Sequence, residues 1–343
     1  MSQKTAIQWT DATWNPVVGC SPVSAGCANC YAVRQTARLE AMGQSKYAGL
    51  LKVLSPDEEG NPRFGHFNGT VRPVEAALEI PLRWRRGRRI FINSMSDLFF
   101  GNEADRRRCA ADGVDFAPVP FDFIDRVLAV VALTPQHRYQ LFTKRPDREA
   151  EYLNTPERHR AIERAVLAWH DEQARDNYRL ANALPRHPLK IAEDLRVAGL
   201  PDRWRWPLPN LQLYASVENQ PTADERIPHL LACPAAVRGL SLEPLLGPVD
   251  LRRWLVADMR ADGGGVARLN QIHHLIIGGE SHRQRERARG FDLAWARDLI
   301  AQGRAAGVPV FIKQLGSAPF EVDHERKVAR GAVAIPVHAV AFG

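Results

Sequence analysis

Residues 89–97 read RIFINSMSD, and this stretch decides the fold, because a short apolar run ends abruptly in polar residues. A run of this length, rich in β-branched and aromatic residues, is typical of a buried strand. Five further stretches show the same pattern. They are Tyr139–Thr143, Leu211–Val217, Val237–Leu242, His274–Ile277 and Val308–Ile312.

Helical patterns lie between these predicted strands. Asp122–Leu133 and Asp292–Ala306 carry apolar residues at the spacing of one helix face. Strands that alternate with helices pair in parallel through right-handed crossovers, which gives either a doubly wound sheet or a barrel. We predict an α/β fold with a partial or complete (β/α) TIM-like barrel.

Charged residues directly follow the predicted strands. Each alone would suit a helix cap or a loop salt bridge. Together they favour a barrel, because the carboxyl ends of barrel strands form the mouth that carries the active site. These residues are Asp97, Lys144, Arg145, Glu218, Glu243, Glu280 and Lys313.

The composition is that of a globular protein, with 343 residues, 45% hydrophobic and 25% charged, which excludes a disordered or fibrous chain. No run approaches the length of a membrane helix, and the first residues lack the apolar region of a signal peptide, so we expect a cytoplasmic protein without membrane contact. We predict a single barrel domain over residues 1–316, a mostly helical insertion at about 154–206, and a C-terminal tail over 317–343.

Three of the five cysteines lie close together, at Cys20, Cys27 and Cys30, with the spacing C-x6-C-x2-C in a turn-rich loop. Thiolates this close in sequence can converge on one soft metal centre. A structural zinc ion needs four ligands, and no fourth Cys or His is near, since His66 is 36 residues further on. Zinc with a distant ligand and three buried unligated thiols stay open as alternatives.

Three thiolates suit a [4Fe–4S] cluster whose fourth iron is open to a cofactor or substrate. If S-adenosylmethionine (SAM) binds that iron through its amino and carboxylate groups, one electron from the cluster can cleave a carbon–sulfur bond and release a deoxyadenosyl radical.

Several motifs resemble those of the three-Cys-motif phage protein family, a family of unknown function carried by phages and bacteria. They are IQWTDATWNP (7–16), the three cysteines followed by Tyr31, NSMSDLF (93–99), LFTKRP (141–146), SLEPLLGP (241–248) and IGGES (277–281). The resemblance runs from residue 7 to about 316. The family is similar in layout to radical SAM enzymes, including the spore photoproduct lyase branch, although these most often have C-x3-C-x2-C with an aromatic residue just before the third cysteine. Here the first gap is six residues, and Asn29 occupies that place.

The resemblance implies a barrel of the radical SAM type that holds a [4Fe–4S] cluster on Cys20, Cys27 and Cys30 and binds SAM at the strand ends. The residues that it places at the SAM site are Asn93, Ser94, Ser96, Asp97, Lys144, Arg145, Ser216, Glu218, Asn219, Glu243, Gly278, Gly279 and Glu280. Within this set, Lys144 or Arg145 is expected to pair with the SAM carboxylate. An electron donor of the flavodoxin or ferredoxin type is the implied partner.

A basic run, RWRRGRR at 83–89, precedes the first of these strands, and the net charge is +7. Arg83, Trp84, Arg85 and Arg86 are candidates to bind nucleic acid, with phosphates on the arginines and a base stacked on Trp84 or Trp204. A solvated surface is the ordinary explanation of such a run. We expect a nucleic acid or nucleotide substrate, with a peptide as the alternative, and a lid formed by the 154–206 insertion.

Two other functional classes stay open. One is a zinc-stabilised nucleic-acid-binding protein without redox chemistry. The other is a metal-independent hydrolase that works through the strand-end carboxylates, which predicts that the three cysteines are dispensable.

Overall fold

The computed structural model describes residues 5, 7–56, 59–60, 63–176, 206–255, 272–281, 288–323 and 328–331. The chain divides into two compact units. The first unit comprises residues 1–23, 30–213 and 233–236, and the second comprises 24–29, 214–232 and 237–343. The second unit thus includes a short piece of the cysteine loop.

Within the described residues there are fourteen strands. They are β1 (Ala12–Trp14), β2 (Val17–Val18), β3 (Leu51–Leu54), β4 (Arg63–Phe67), β5 (Arg72–Pro73), β6 (Arg89–Ile92), β7 (Arg138–Thr143), β8 (Leu211–Ser216), β9 (Val237–Leu242), β10 (His274–Gly278), β11 (Phe291–Asp292), β12 (Val310–Gln314), β13 (Pro319–Asp323) and β14 (Val328–Gly331).

The α-helices of the same ranges alternate with the longer strands. They are α1 (Tyr31–Ala41), α2 (Glu103–Ala111), α3 (Phe121–Leu133), α4 (Pro146–Leu153), α5 (Pro156–Asp176), α6 (Gln220–Ala232), α7 (Arg252–Leu255) and α8 (Leu293–Ala306). None of these described helices has the length and apolar character needed to cross a membrane.

One parallel sheet contains all six strands that the sequence predicts. Its order is β1-β6-β7-β8-β9-β10-β12, so the strands have the same order in the sheet as in the sequence. The α/β class is confirmed, and the parallel order is the one that a partial (β/α) barrel requires. Because the strands are parallel, their carboxyl ends lie along one edge of the sheet in each unit.

In the first unit the alternation of side chains along β6 and β7 produces two different faces. Tyr139 faces the helices, where its hydroxyl hydrogen-bonds Thr134 at the end of α3. On the opposite face Phe91 and Phe142 pack with Trp9, with ring centroids 4.7–4.9 Å apart. The helix-side face is fully buried, so the predicted alternation of apolar strands and amphipathic helices explains the core.

In the second unit, β9, β10 and β12 carry the parallel sheet onward, and α8 begins at the side-chain cap of Asp292 and ends at Gly307. The segment predicted as a tail contributes two strands, β13 and β14, which join β11 in a separate three-stranded sheet.

The predicted insertion begins as a helix. Helix α5 packs on α3 in the first unit, where Arg158 bonds Asp125 at 3.1 Å. Residues 177–205, including Trp204, lie outside the described residues, so the predicted lid stays a prediction.

Candidate functional site

The cysteine segment, residues 20–30, follows β2 through a turn that only glycine adopts readily. Gly19 has φ +90°, and a Cβ there would overlap the carbonyl oxygen of Thr70. The segment then forms a single 3-10 turn at Ala25–Cys27, and Cys30 is the N-cap of helix α1. The turn-rich loop predicted from the sequence is confirmed.

The three thiols are half-buried, and none forms a disulfide. Cys20 and Cys30 both pack against one apolar cluster of the first unit, which includes Val18, Val33 and Met95. Cys30 lies at the N-terminus of α1, where the helix dipole favours a negatively charged sulfur.

Among the described residues, no group of three or more His, Cys, Asp or Glu side chains is arranged so that it could hold a metal ion. The metal site on Cys20, Cys27 and Cys30 therefore stays a prediction, based on their spacing in sequence. What the structure adds is how each part of the segment is anchored.

The Cys20 end is anchored in the first unit by Arg145. The carbonyl oxygen of Cys20 accepts a bond from the Gly69 amide at 3.0 Å. The guanidinium of Arg145 donates to the carbonyl oxygen of Ser21 at 3.0 Å and to the Ser21 hydroxyl at 3.3 Å. Arg145 is 1% exposed, so this contact is made inside the protein.

Two buried carboxylates fix Arg145. Its Nη1 donates to Asp97 at 3.0 Å, and its Nε donates to Asp105 at 2.7 Å. Burial disfavours the ionised form of Asp105, yet Arg145 and Ser21 hold the pKa of this carboxyl below its ordinary value. Asp97 also accepts from the Thr143 hydroxyl and the Lys144 amide. Arg145, predicted to bind SAM, therefore bonds the cysteine segment, and Asp97, also predicted to bind SAM, bonds Arg145.

The middle of the segment is anchored in the second unit by Glu218. This carboxylate is fully buried and accepts from the Ser24 hydroxyl at 2.8 Å and from Arg226 at 3.2 Å. Gly26 lies against it so closely that a Cβ would overlap the carboxylate. Glu218, another predicted SAM ligand, thus bonds the segment itself.

Glu280 anchors the next part of the segment, also in the second unit. It accepts from the Asn29 amide at 2.8 Å and pairs with Arg289, which donates to the carbonyl oxygen of Ala25 at 2.7 Å. Burial raises the pKa of the Glu280 carboxyl, but the bonds from Arg289 and Asn29 outweigh burial and lower it. Glu280 therefore carries a charge that is matched within the protein.

Asn93, at the carboxyl end of β6, differs from these anchors. It has φ +57° and is 3% exposed, and neither polar atom of its side-chain amide has a hydrogen-bond partner among the described residues. An unmet buried donor or acceptor costs about 1–3 kcal/mol. A buried polar group without a partner can mark a place where a ligand supplies the missing bonds.

The neighbours of Asn93 are bonded within the first unit. The Ser94 hydroxyl donates to Asn15, the Ser94 carbonyl oxygen accepts from the Tyr31 hydroxyl, and the Ser96 hydroxyl donates to the Val17 carbonyl oxygen. Because Tyr31 directly follows Cys30, this bond joins the start of α1 to the end of β6.

The remaining predicted site residues lie at the strand ends of the second unit. Glu243 pairs with Lys313 at 2.6 Å and accepts from Gln314 at 3.0 Å. Asn219 accepts from the Thr222 amide. The carbonyl oxygen of Ser216 accepts from Arg226, Gly278 lies against Glu243, and the Gly279 amide donates to the Gln314 carbonyl oxygen.

The sequence-based reasoning missed the partners of these charges. They are Ser21, Ser24, Asn29, Asp105, Arg226 and Arg289. The one available signal was the presence of polar Ser and Asn residues between the cysteines.

The basic run lies before β6, whereas Asn93 follows it, so the two are at opposite ends of that strand. Arg85 and Arg86 are exposed, and Arg83 pairs with Glu79. The Trp84 ring is 5% exposed and packs against Arg88 and His137, so the stacking predicted for it would require the ring to leave this packed position.

Comparison with known proteins identifies a family. The family model described as protein of unknown function (DUF5131) matches residues 4–334, and the chain belongs to that family. No curated protein matches the chain, and no solved structure does.

Proposed function

We propose that this member of the DUF5131 family is a radical SAM-type iron–sulfur enzyme that modifies or repairs a nucleic acid or nucleotide. Cys20, Cys27 and Cys30 would hold a [4Fe–4S] cluster, and SAM would bind at the strand ends. The observation that carries the proposal is that buried ionic groups fix the cysteine segment along its length, at Ser21, Ser24 and Asn29. In its motifs the chain also resembles the three-Cys-motif phage proteins.

The donor chemistry of the segment fits such a cluster. The carboxylates that touch the segment or its anchors already accept bonds from protein donors, namely Asp97, Asp105, Glu218 and Glu280. The thiols are the soft ligands of the segment, and three thiolates leave one iron of a [4Fe–4S] cluster open. When bound, the cluster and SAM supply one-electron cleavage of a carbon–sulfur bond.

The residues proposed for SAM lie at the carboxyl ends of β6 and β7. Asn93 offers an amide with both a donor and an acceptor to fill, which suits the amino and carboxylate groups of SAM. Arg145 is buried and bonded to the protein at each of its three nitrogens. Lys144, half-buried directly after β7, is the other cation of the LFTKRP motif, and we assign it to the SAM carboxylate because of this position at a strand end.

A polyanionic substrate is supported by the net charge of +7 and by the exposed arginines at 85 and 86. Because these arginines lie at the other end of β6 from Asn93, we assign them to the flanking backbone of a long substrate and not to the reacting nucleotide.

Anaerobic reconstitution with iron and sulfide tests the cluster. We expect a brown protein with broad absorption near ~400 nm and iron in place of zinc on elemental analysis. Cys27→Ala should lose the iron, whereas Cys109→Ala, with its sulfur fully buried elsewhere, should keep it. A colourless protein that retains zinc through Cys27 would contradict the proposal and support a zinc-stabilised binding protein.

A further inference from the structure

Arg145 contacts the cysteine segment, a role that the sequence analysis did not predict for it. It is the N-cap of α4, directly after β7, and its side chain runs inward to the Cys20 end of the cysteine segment. Three different nitrogen atoms of its guanidinium bond three different groups: Asp105, Asp97 and the carbonyl oxygen of Ser21. A planar fork with five donors can make this set of bonds, and an ammonium group cannot reproduce its geometry.

The surroundings of Arg145 are built for a permanent cation. Burial opposes its charged form, yet negative groups around it raise its pKa well above the ordinary value of arginine. The carboxylates among those groups that Arg145 bonds are Asp97 and Asp105. The Ser21 carbonyl oxygen that Arg145 also bonds is one residue from Cys20, so the positive charge lies next to the Cys20 end of the segment.

We propose that Arg145 is the positioning residue of the cluster: it fixes the backbone next to Cys20 and places a buried positive charge at the Ser21 carbonyl oxygen, one residue from this proposed ligand. The inference deepens the proposed function and rests on it only in the second part, since the backbone is fixed with or without a metal. A cation near an iron–sulfur cluster stabilises the more negative, reduced state and raises its reduction potential.

The chain offers a matched control in Arg148, three residues further along. Its side chain is also buried, but it donates to the carbonyl oxygens of Phe100 and Val119 and makes no bond to the cysteine segment. Loss of a buried arginine can destabilise a protein in general, and the Arg148 variants measure that general effect.

The experiment compares Arg145→Lys and Arg145→Gln with Arg148→Lys and Arg148→Gln, using variants whose circular dichroism shows a folded chain. Hydrogen exchange of the metal-free protein reports the positioning role. We expect several-fold faster exchange at residues 20–23 in both Arg145 variants and no selective change there in the Arg148 variants. Equal exchange at 20–23 in Arg145→Gln and the wild type would overturn the inference even if the cluster is present.

Redox titration of the reconstituted proteins, normalised to iron content, measures how the charge of residue 145 affects the midpoint potential of the cluster. We expect a more negative midpoint potential in Arg145→Gln, recovery toward the wild-type value in Arg145→Lys, and no shift in Arg148→Gln. An unchanged potential in Arg145→Gln would overturn the electrostatic part. If the wild type itself binds no cluster, the proposed function fails, while the exchange data still decide the positioning role.

Discussion

At the scale of single residues, Asn93 combines costs that a protein of marginal stability does not keep without a use. A left-handed φ and two unmet polar atoms in a buried side chain both disfavour the folded state. The side chains of Ser94 and Ser96 are bonded, whereas both polar atoms of the Asn93 amide lack a hydrogen-bond partner among the described residues.

Asn93→Gly is expected to separate stability from binding. Glycine adopts the same φ without strain and removes the unmet amide, so the free energy of unfolding should rise by about 1 kcal/mol after the entropy cost of glycine is subtracted. SAM affinity should fall at least about tenfold, since a ligand loses two hydrogen bonds. Urea denaturation and equilibrium dialysis with SAM measure the two effects.

Asn210→Gly is the control for Asn93→Gly. The Asn210 amide donates to the carbonyl oxygens of Val131 and Thr134. Its loss should lower stability and leave SAM binding unchanged. Wild-type SAM affinity in Asn93→Gly would exclude Asn93 from the cofactor site.

The cysteines give a second prediction at this scale. Replacing Cys20, Cys27 or Cys30 by alanine should abolish iron binding, because a site of three thiolates has no spare ligand. Cys109→Ala and Cys233→Ala should retain iron, since both sulfurs are fully buried and hydrogen-bond Gly69 and Glu149. Iron and sulfide analysis measures this, and the same iron loss in all five variants would rule out a specific role for the clustered cysteines.

At the scale of elements, Tyr214 of β8 and the burial of β10 in the second unit keep His274 neutral. The Nδ1 atom of His274 forms a hydrogen bond with the Tyr214 hydroxyl at 3.0 Å, and burial lowers the pKa of His274 to about 4. The folded protein therefore binds fewer protons than the unfolded chain between pH 6.5 and 4. Stability that this residue provides at neutral pH should be lost as the pH falls through that range.

His274→Gln tests this dependence, because glutamine can bond Tyr214 but does not titrate. The wild type should lose up to about 3 kcal/mol of unfolding free energy from this group between neutral pH and pH 4, and the variant should lose correspondingly less. Urea denaturation at several pH values measures the difference. Parallel pH profiles for the two proteins would show that His274 titrates normally.

The strands and helices could be predicted from the sequence, but the hydrogen-bond partners of the residues at the strand ends could not. A strand such as β6 depends on local composition and period, and its bounds differ from the prediction by about one residue. The role of Glu218 depends on Ser24, which lies 194 residues away in sequence, and that of Glu280 on Asn29, which lies 251 residues away. No local pattern contains those pairings, so residues predicted to bind SAM prove to bond the cysteine segment.

At the scale of the whole molecule, charge and burial decide what the basic run can do. Arg85 and Arg86 are exposed, and their contact with phosphates stays a prediction. The sequence did not indicate that the Trp84 ring packs against Arg88 and His137. The run can therefore contact phosphates, and base stacking on Trp84 would require the ring to leave its packed position.

The double variant Arg85→Glu with Arg86→Glu should weaken binding of labelled single-stranded DNA and RNA and reduce the salt slope by about two. Iron content should not change, because the run precedes β6, whereas Tyr31, next to Cys30, bonds Ser94 after the carboxyl end of that strand. The control is Arg252→Glu with Arg253→Glu, which changes the net charge equally at arginines already paired with Asp298 and Asp224. Equal losses in both double variants would show a net-charge effect without a specific surface.

Cleavage of SAM tests the proposed function most directly. The reconstituted protein is incubated anaerobically with SAM and dithionite, and the products are separated by chromatography. We predict formation of 5′-deoxyadenosine by the wild type and none by Cys27→Ala, because one-electron cleavage needs the cluster. A folded, iron-loaded wild-type protein that binds SAM but forms no 5′-deoxyadenosine would contradict the radical SAM assignment.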